Sequence, residues 1–214
     1  MKLDEILRLT GPLLEQPLRE AITIIDSVHT FPTSPRLSVC PVVINQRRQE
    51  QGAYHYRSRP SVPLRIEISR HARHVHWTLA HEVGHLMDHM VLNPIRSGFG
   101  SEHDPLFDRL RELWAQSGSM TTLARLLGKR VPRVSAVELR NLRDHLRPRE
   151  FWARTYAQWV ASRAGSDVLR IQLAKVRREG LFLGHHWFTF QWEDDEFKII
   201  MGEVDNLMRE AHLV

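Results

Sequence analysis

His81-Glu82-Val83-Gly84-His85 lies within a run of helical character that extends from about 71 to 92. An α-helix turns by about 100° per residue, so positions i and i+4 stack on one face. The imidazoles of His81 and His85 are thereby brought side by side, at a spacing that suits one metal ion. Glu82, one residue on, points toward the same cleft without joining the pair. Two histidines in this register with a glutamate between them describe a catalytic zinc site, in which the glutamate handles protons for a metal-bound water. Thirteen histidines in 214 residues make a chance pair less rare than usual, so the context has to support the motif. It does: the other face is apolar at Trp77, Leu79, Ala80, Val83, Leu86 and Met87, and a strand expected at 62–69 leads into the helix.

The third ligand decides the kind of zinc site. A metzincin needs a histidine six residues after His85 and a glycine three after, where this chain has Val91 and Asp88. His89 continues the i, i+4 series, but it stands about 12 Å along the axis from His81, too far for one ion with bonds near 2 Å. It reads as a helix-end histidine, and Asp88 as a solvent-side or supporting carboxylate. Glu150 is the best candidate. Pro148 suits a first helical turn, from which Glu150 projects. Ala153 and Ala157 on its face are small enough for that helix to lie close to the motif helix. The bland alternative is a glutamate that merely complements the helix dipole. Glu102, His103, Asp104, His185 and His186 are weaker competitors, the last two reading as cap or pocket lining.

A chain of this length allows one sizeable domain with a real core. Lys plus Arg number 30 against 25 for Asp plus Glu, a net charge of +5. The excess is modest and dispersed, which describes a solvated basic face, and no nucleic-acid-binding motif accompanies it. Cys40 is the only cysteine, which excludes an internal disulfide and a thiolate zinc site. The first residues, Met-Lys-Leu-Asp-Glu-Ile, lack the layout of a signal peptide, and no apolar run is long enough for a bilayer. A cytoplasmic protein is expected, with non-classical delivery left open. No residue pattern specifies an oligomeric state.

In chain order, 3–9 reads as a short amphipathic turn or helix and about 17–28 as a helix. Strands are expected at 40–44, 52–56 and 62–69, forming a small antiparallel or mixed sheet against helices. Helices follow at about 105–116, 121–128 and 135–146, then one with Pro148 in its first turn that runs through Ala164, and others at about 167–179 and 193–211. The expected fold class is α+β: one domain over 1–214, with a helical N-terminal extension at 1–40 and a helical insert at 93–147. Pro60 and Pro63 cannot donate ladder hydrogen bonds, which places the 62–69 strand at a sheet edge. Leu64, Ile66 and Ile68 would then face the core and Arg65, Glu67 and Ser69 the outside. An extended peptide could pair with 64–68.

His-Glu-Val-Gly-His-Leu-Met-Asp at 81–88, followed by Pro-Arg-Glu-Phe-Trp-Ala-Arg-Thr-Tyr-Ala-Gln-Trp-Val at 148–160, resembles the zinc metallopeptidases of the anthrax-lethal-factor type. It is still more similar to their bacteriophage- and toxin-associated relatives. The resemblance covers roughly 60–190. It implies a zincin-like domain in which the glutamate opening the second motif, here Glu150, is the third zinc ligand. One departure is Arg154, where lethal-factor proteins carry a second glutamate. Another is the family's transition-state tyrosine, which has no match in 140–149; Tyr156 or a histidine would have to stand in.

The expected chemistry is peptide hydrolysis. Zinc on His81, His85 and Glu150 keeps an open position for a water with pKa near 7. Glu82 takes its proton and passes it to the leaving amine, and the expected partner is an extended polypeptide. Three other roles use the same residues or the basic charge. One is a zinc-stabilised non-catalytic module of a phage or toxin system. Another is a repressor-cleaving regulatory peptidase, although there the downstream glutamate usually stands much closer than 65 residues. The last is a nucleic-acid partner of a mobile element.

Overall fold

The computed structural model describes residues 1–33, 37–46, 51–93, 98–118, 120–121, 143–179, 181–183, 186–188 and 191–214, with 181–183 and 186–188 as backbone only. Strands β1 (Leu7–Thr10), β2 (Cys40–Asn45), β3 (Gly52–Ser58) and β4 (Ser61–Ser69) form a mixed sheet in the order β1-β2-β4-β3. β1, β2 and β4 run parallel, with Leu7 opposite Cys40 and Val42 opposite Ile66, and β3 returns antiparallel to β4. Cys40, Val42, Ile66 and Ile68 are buried on the inner face. The chain is thus α+β with a small mixed sheet.

Three expectations about this region are corrected. The N-terminal segment is not a helical extension: the helix stops at Ile6, and Leu7–Thr10 becomes the outer strand of the sheet. Leu7 at 4% exposure pairs beside buried Cys40, so the gain lies in sheet burial rather than in a lone helical turn. β4 is not an edge strand, since β2 and β3 flank it. Pro63 is accommodated by a register shift between His55 and Tyr56, after which Tyr56 faces Pro63. Among the described residues, β3 pairs with β4 alone and lies beside the motif helix. The alternation along β4 also differs from the expectation. Leu64 is exposed, whereas Glu67 and Ser69 are buried, Glu67 accepting hydrogen bonds from Arg65 Nε at 2.7 Å and Asn45 Nδ2 at 3.0 Å.

Helices follow the sequence pattern closely. Glu15–Asp26 buries Leu18, Ala21, Ile22 and Ile25, and Asp194–Glu210 buries Phe197, Ile200, Val204, Leu207 and Met208. Asp167–Arg178 begins at Ser166, whose hydroxyl accepts from the Leu169 amide. In the insert, Gly100–His103 and Asp108–Gln116 are helical, joined by a 3₁₀ turn at Pro105–Phe107 that the Asp104 carboxylate caps. The helices expected at 121–128 and 135–146 fall almost wholly outside the described residues, which show helix again at 143–145. A two-stranded hairpin, Leu181–Leu183 with His186–Phe188, was not anticipated. Among the described residues, nearly all the buried apolar side chains form one cluster that runs from Leu3 to Leu213. Among the described residues, no helix is long and apolar enough to cross a membrane.

The motif helix, Val75–Leu86, lies in the middle of this core, and every residue of it except His81 is buried. It continues into a π-helical turn at Met87–Val91. Against it packs the second helix, Pro148–Arg163, which is buried continuously from Phe151 to Ala161. The two touch where Gly84 meets Ala153. A Cβ on Gly84 would stand 2.9 Å from Ala153 Cα and 3.2 Å from its carbonyl oxygen. Trp152 Nε1 donates to the Gly84 carbonyl at 2.9 Å, closing the same contact from the side. Glycine inside a helix costs about 1 kcal/mol against alanine, so its place here is explained by the close approach.

Gly84→Ala should therefore destabilise the protein by about 1–3 kcal/mol through overpacking, despite the better helix former. Gly202→Ala, in an exposed helix interior with nothing within 4 Å, should stabilise it by about 0.5–1 kcal/mol. Urea-unfolding midpoints of the two variants test the contrast, and equal shifts would contradict it.

Candidate metal centre

Two helices and one strand supply the centre. The motif helix presents His81 and His85 one turn apart, with ring centroids 4.9 Å from each other and planes at 87°. The second helix begins at Pro148, whose missing amide is harmless in a first turn, and Glu150 projects from that turn. His81 Nε2 lies 3.5 Å from Glu150 Oε2, and His85 Nε2 lies 3.5 Å from Glu150 Oε1. A tetrahedral ion with bonds of about 2.0–2.2 Å sets its ligand atoms about 3.4 Å apart. The observed spacing fits such an ion, and it is long for direct hydrogen bonds. Among the described residues these three are the one group of this kind whose ligand atoms all lie within 4.8 Å of one another. Two imidazole nitrogens and one carboxylate oxygen form a donor set that suits divalent transition metals, zinc among them.

The centre is open on one side. The His81 and Glu150 side chains are 21% and 22% exposed, against 8% for His85. Burial raises the Glu150 pKa, but the facing rings of His85 and His81 outweigh it and hold the carboxylate far below its usual range. Glu82 is buried beside this group. Its Oε1 lies so close to Gly52 of β3 that a Cβ there would come within 2.8 Å of it, and within 2.6 Å of Thr78 Cγ2. Gly52 therefore leaves the room that Glu82 occupies, a function that its reading as an ordinary strand residue did not disclose.

Other candidates are placed elsewhere. His89 is buried outside the triad, with Nδ1 2.7 Å from the Tyr54 hydroxyl and Nε2 2.7 Å from the Ser61 hydroxyl. Burial lowers its pKa to about 4. Asp88 is not solvent-side: it is fully buried and accepts from the Ser101 amide at 2.7 Å and hydroxyl at 2.5 Å. Burial raises its pKa to about 7 against those hydrogen bonds. The Asp88 carboxylate thus ties the π-helical turn to the start of Gly100–His103. Tyr156 cannot serve the centre, because its hydroxyl donates to His29 Nε2 at 2.5 Å deep in the core. The donor assignment follows from His29 Nδ1, which faces the Thr30 carbonyl at 3.2 Å and must carry the proton. Arg154 lies with its guanidinium over the Phe151 ring and donates to the His145 carbonyl at 2.8 Å. Glu102, His103 and Asp104 do not join the triad, and Asp104 instead caps the 3₁₀ turn. His185 falls outside the described residues, and the His186 backbone lies in the short hairpin.

Four neighbours escaped the sequence reading. Tyr54 of β3 lies parallel to the His85 ring at 6.5 Å, and Phe99 packs against that ring at 5.9 Å. Arg149 stands beside Glu150, with Nε 3.9 Å from Oε1. His145 is within electrostatic reach of His81 and Glu150; desolvation, then the Arg154 cation, lowers its pKa. The aromatic residues of β3 were a visible signal, because alternate positions on a strand next to the motif helix must face it.

No protein-family model, curated protein or solved structure matches the chain.

Purified protein reconstituted with zinc should hold about one ion per chain. Glu150→Gln should lower zinc affinity by more than about 100-fold, since loss of supporting contacts alone costs 10–100-fold, whereas His89→Gln should change it by less than about 10-fold. Competition with a chromophoric chelator measures both, and the reverse ranking would remove Glu150 from the ligand set.

Proposed function

We propose that the chain is a zinc-dependent peptide hydrolase with a zincin-like arrangement, of the kind its two motifs resemble. The observation that supports this most is the convergence of His81, His85 and Glu150 at 3.5 Å with Glu82 buried alongside on the same helix. His81, His85 and Glu150 would hold the zinc ion, which would supply Lewis acidity toward a peptide carbonyl and would lower the pKa of a water to about 7.

The remaining work falls to the chain itself. Glu82 accepts the proton of the attacking water and returns it to the departing amine, a transfer that one carboxylate within reach of both can perform. The missing side chain of Gly52 leaves Glu82 its place beside β3. Tyr54 and Phe99 flank the His85 ring and fix its plane. β3, paired with β4 alone among the described strands, offers an extended polypeptide a backbone edge beside the centre. The exposure of His81 and Glu150 on one side favours catalysis over a metal staple, since structural zinc sites close their fourth position with a protein ligand.

Glu82→Gln should retain the fold and the zinc while abolishing zinc-dependent cleavage of an unfolded protein such as casein. Gly52→Ala, which crowds Glu82, should lower kcat by about 10-fold or more with zinc content unchanged, a misplacement effect. Full activity in Glu82→Gln would overturn the assignment.

A further inference from the structure

Arg149 is set at the mouth of the centre in an unusual state. Its Nε lies 3.9 Å from Glu150 Oε1, the oxygen that faces His85, and its Nη1 lies 4.0 Å from Glu102 Oε1. The Arg149 Cζ lies over the Phe99 ring, 5.2 Å from its centroid. Phe99 is itself buried and packed against His85 and Tyr56, so this platform is fixed. The charge is therefore held in place from beneath, while neither carboxylate comes within hydrogen-bond distance.

Other arginines of the chain close on their partners. Arg65 meets Glu67 at 2.7 Å, Arg177 meets Asp194 at 2.7 Å and Arg147 meets Asp144 at 3.0 Å. Arg149 closes on neither neighbour, and none of its donors has an acceptor among the described residues. Glu150 is a poor acceptor for it, since both carboxylate oxygens face imidazoles. The side chain is 23% exposed, enough for a ligand to reach the N–H edges and little enough for water to screen them only in part.

We propose that Arg149 is a specificity-determining residue that receives a carboxylate of the peptide substrate. A guanidinium fork matches a carboxylate in two parallel hydrogen bonds, which a lysine at the same place could not reproduce. An extended peptide advances about 3.3–3.6 Å per residue, so a guanidinium 3.9 Å from a ligand oxygen addresses a group one or two residues from the scissile bond. The carboxylate comes from an Asp or Glu side chain or from a free C-terminus, and the chemistry at Arg149 is the same for both. This inference rests on the peptide-hydrolase reading for its substrate, but the binding step can be measured without turnover.

The test uses the zinc-loaded Glu82→Gln protein and acetylated alanine hexapeptides. One is uncharged and amidated, a second set is amidated with Glu at each position in turn, and a third has uncharged side chains and a free C-terminal carboxylate. Calorimetry should show at least one acidic peptide binding 10-fold or more tighter than the neutral amide, and which peptide does so names the source of the carboxylate. Adding Arg149→Gln should bring that ratio to within 2-fold, and Arg149→Lys should keep part of it, with zinc content unchanged in both. A ratio that survives Arg149→Gln overturns the proposal, as does the lack of any acidic preference, weak or absent binding included. Casein cleavage by the wild type, run alongside, separates the two claims. Cleavage without acidic preference defeats the Arg149 assignment alone. Arg149-dependent binding without any cleavage defeats the hydrolase reading and leaves the carboxylate site standing.

Discussion

The approach of two buried helices at Gly84 and Ala153 is the constraint on which the rest depends. A carboxylate on one helix can share an ion with two imidazoles on another only if the axes come unusually close. Here a glycine and an alanine meet nearly backbone to backbone, and the Trp152 indole hydrogen-bonds the Gly84 carbonyl. Both helices are buried almost all round, the motif helix from Val75 and the second helix from Phe151. Their separation is therefore set by close packing, which yields little to either a gap or an extra methyl group.

Buried polar groups then fix orientation around the centre. His89 joins Tyr54 on β3 to Ser61 on β4, Asp88 holds Ser101, and His29 holds Tyr156. Each is a satisfied pair in an apolar setting, where an unpaired group would be costly. Burial keeps both His29 and His89 neutral at ordinary pH, with pKa values lowered to about 4. These pairs anchor the N-terminal segment, the edge strand and the insert to the two helices that carry the donor atoms.

Local spacing made much of this legible. The i, i+4 histidines, the glutamate between them, the small face of the second helix and the apolar stripe of Asp194–Glu210 all follow from helical periodicity, and their placement agrees with it. Long-range pairing was less legible. Leu7–Thr10 is too short to announce itself as a strand and becomes one through Cys40–Asn45, more than thirty residues on. The prolines near β4 argued for an edge, but a register shift at Tyr56 lets Pro63 sit inside the sheet. Tyr156 stands as a substitute for the tyrosine that the resemblance implies, yet six residues along the helix from Glu150 carry it to the His29 side. Asp88 shows the same limit, since its partners Gly100 and Ser101 come from a separate element.

The central claim is that His81, His85 and Glu150 hold one metal ion between them. It is tested most directly by an anomalous difference map at the zinc edge from crystals of the zinc-reconstituted protein. A single strong peak is expected within about 2.0–2.2 Å of both Nε2 atoms and of a Glu150 carboxylate oxygen. A peak elsewhere, or one ligated by the two histidines without Glu150, would contradict it.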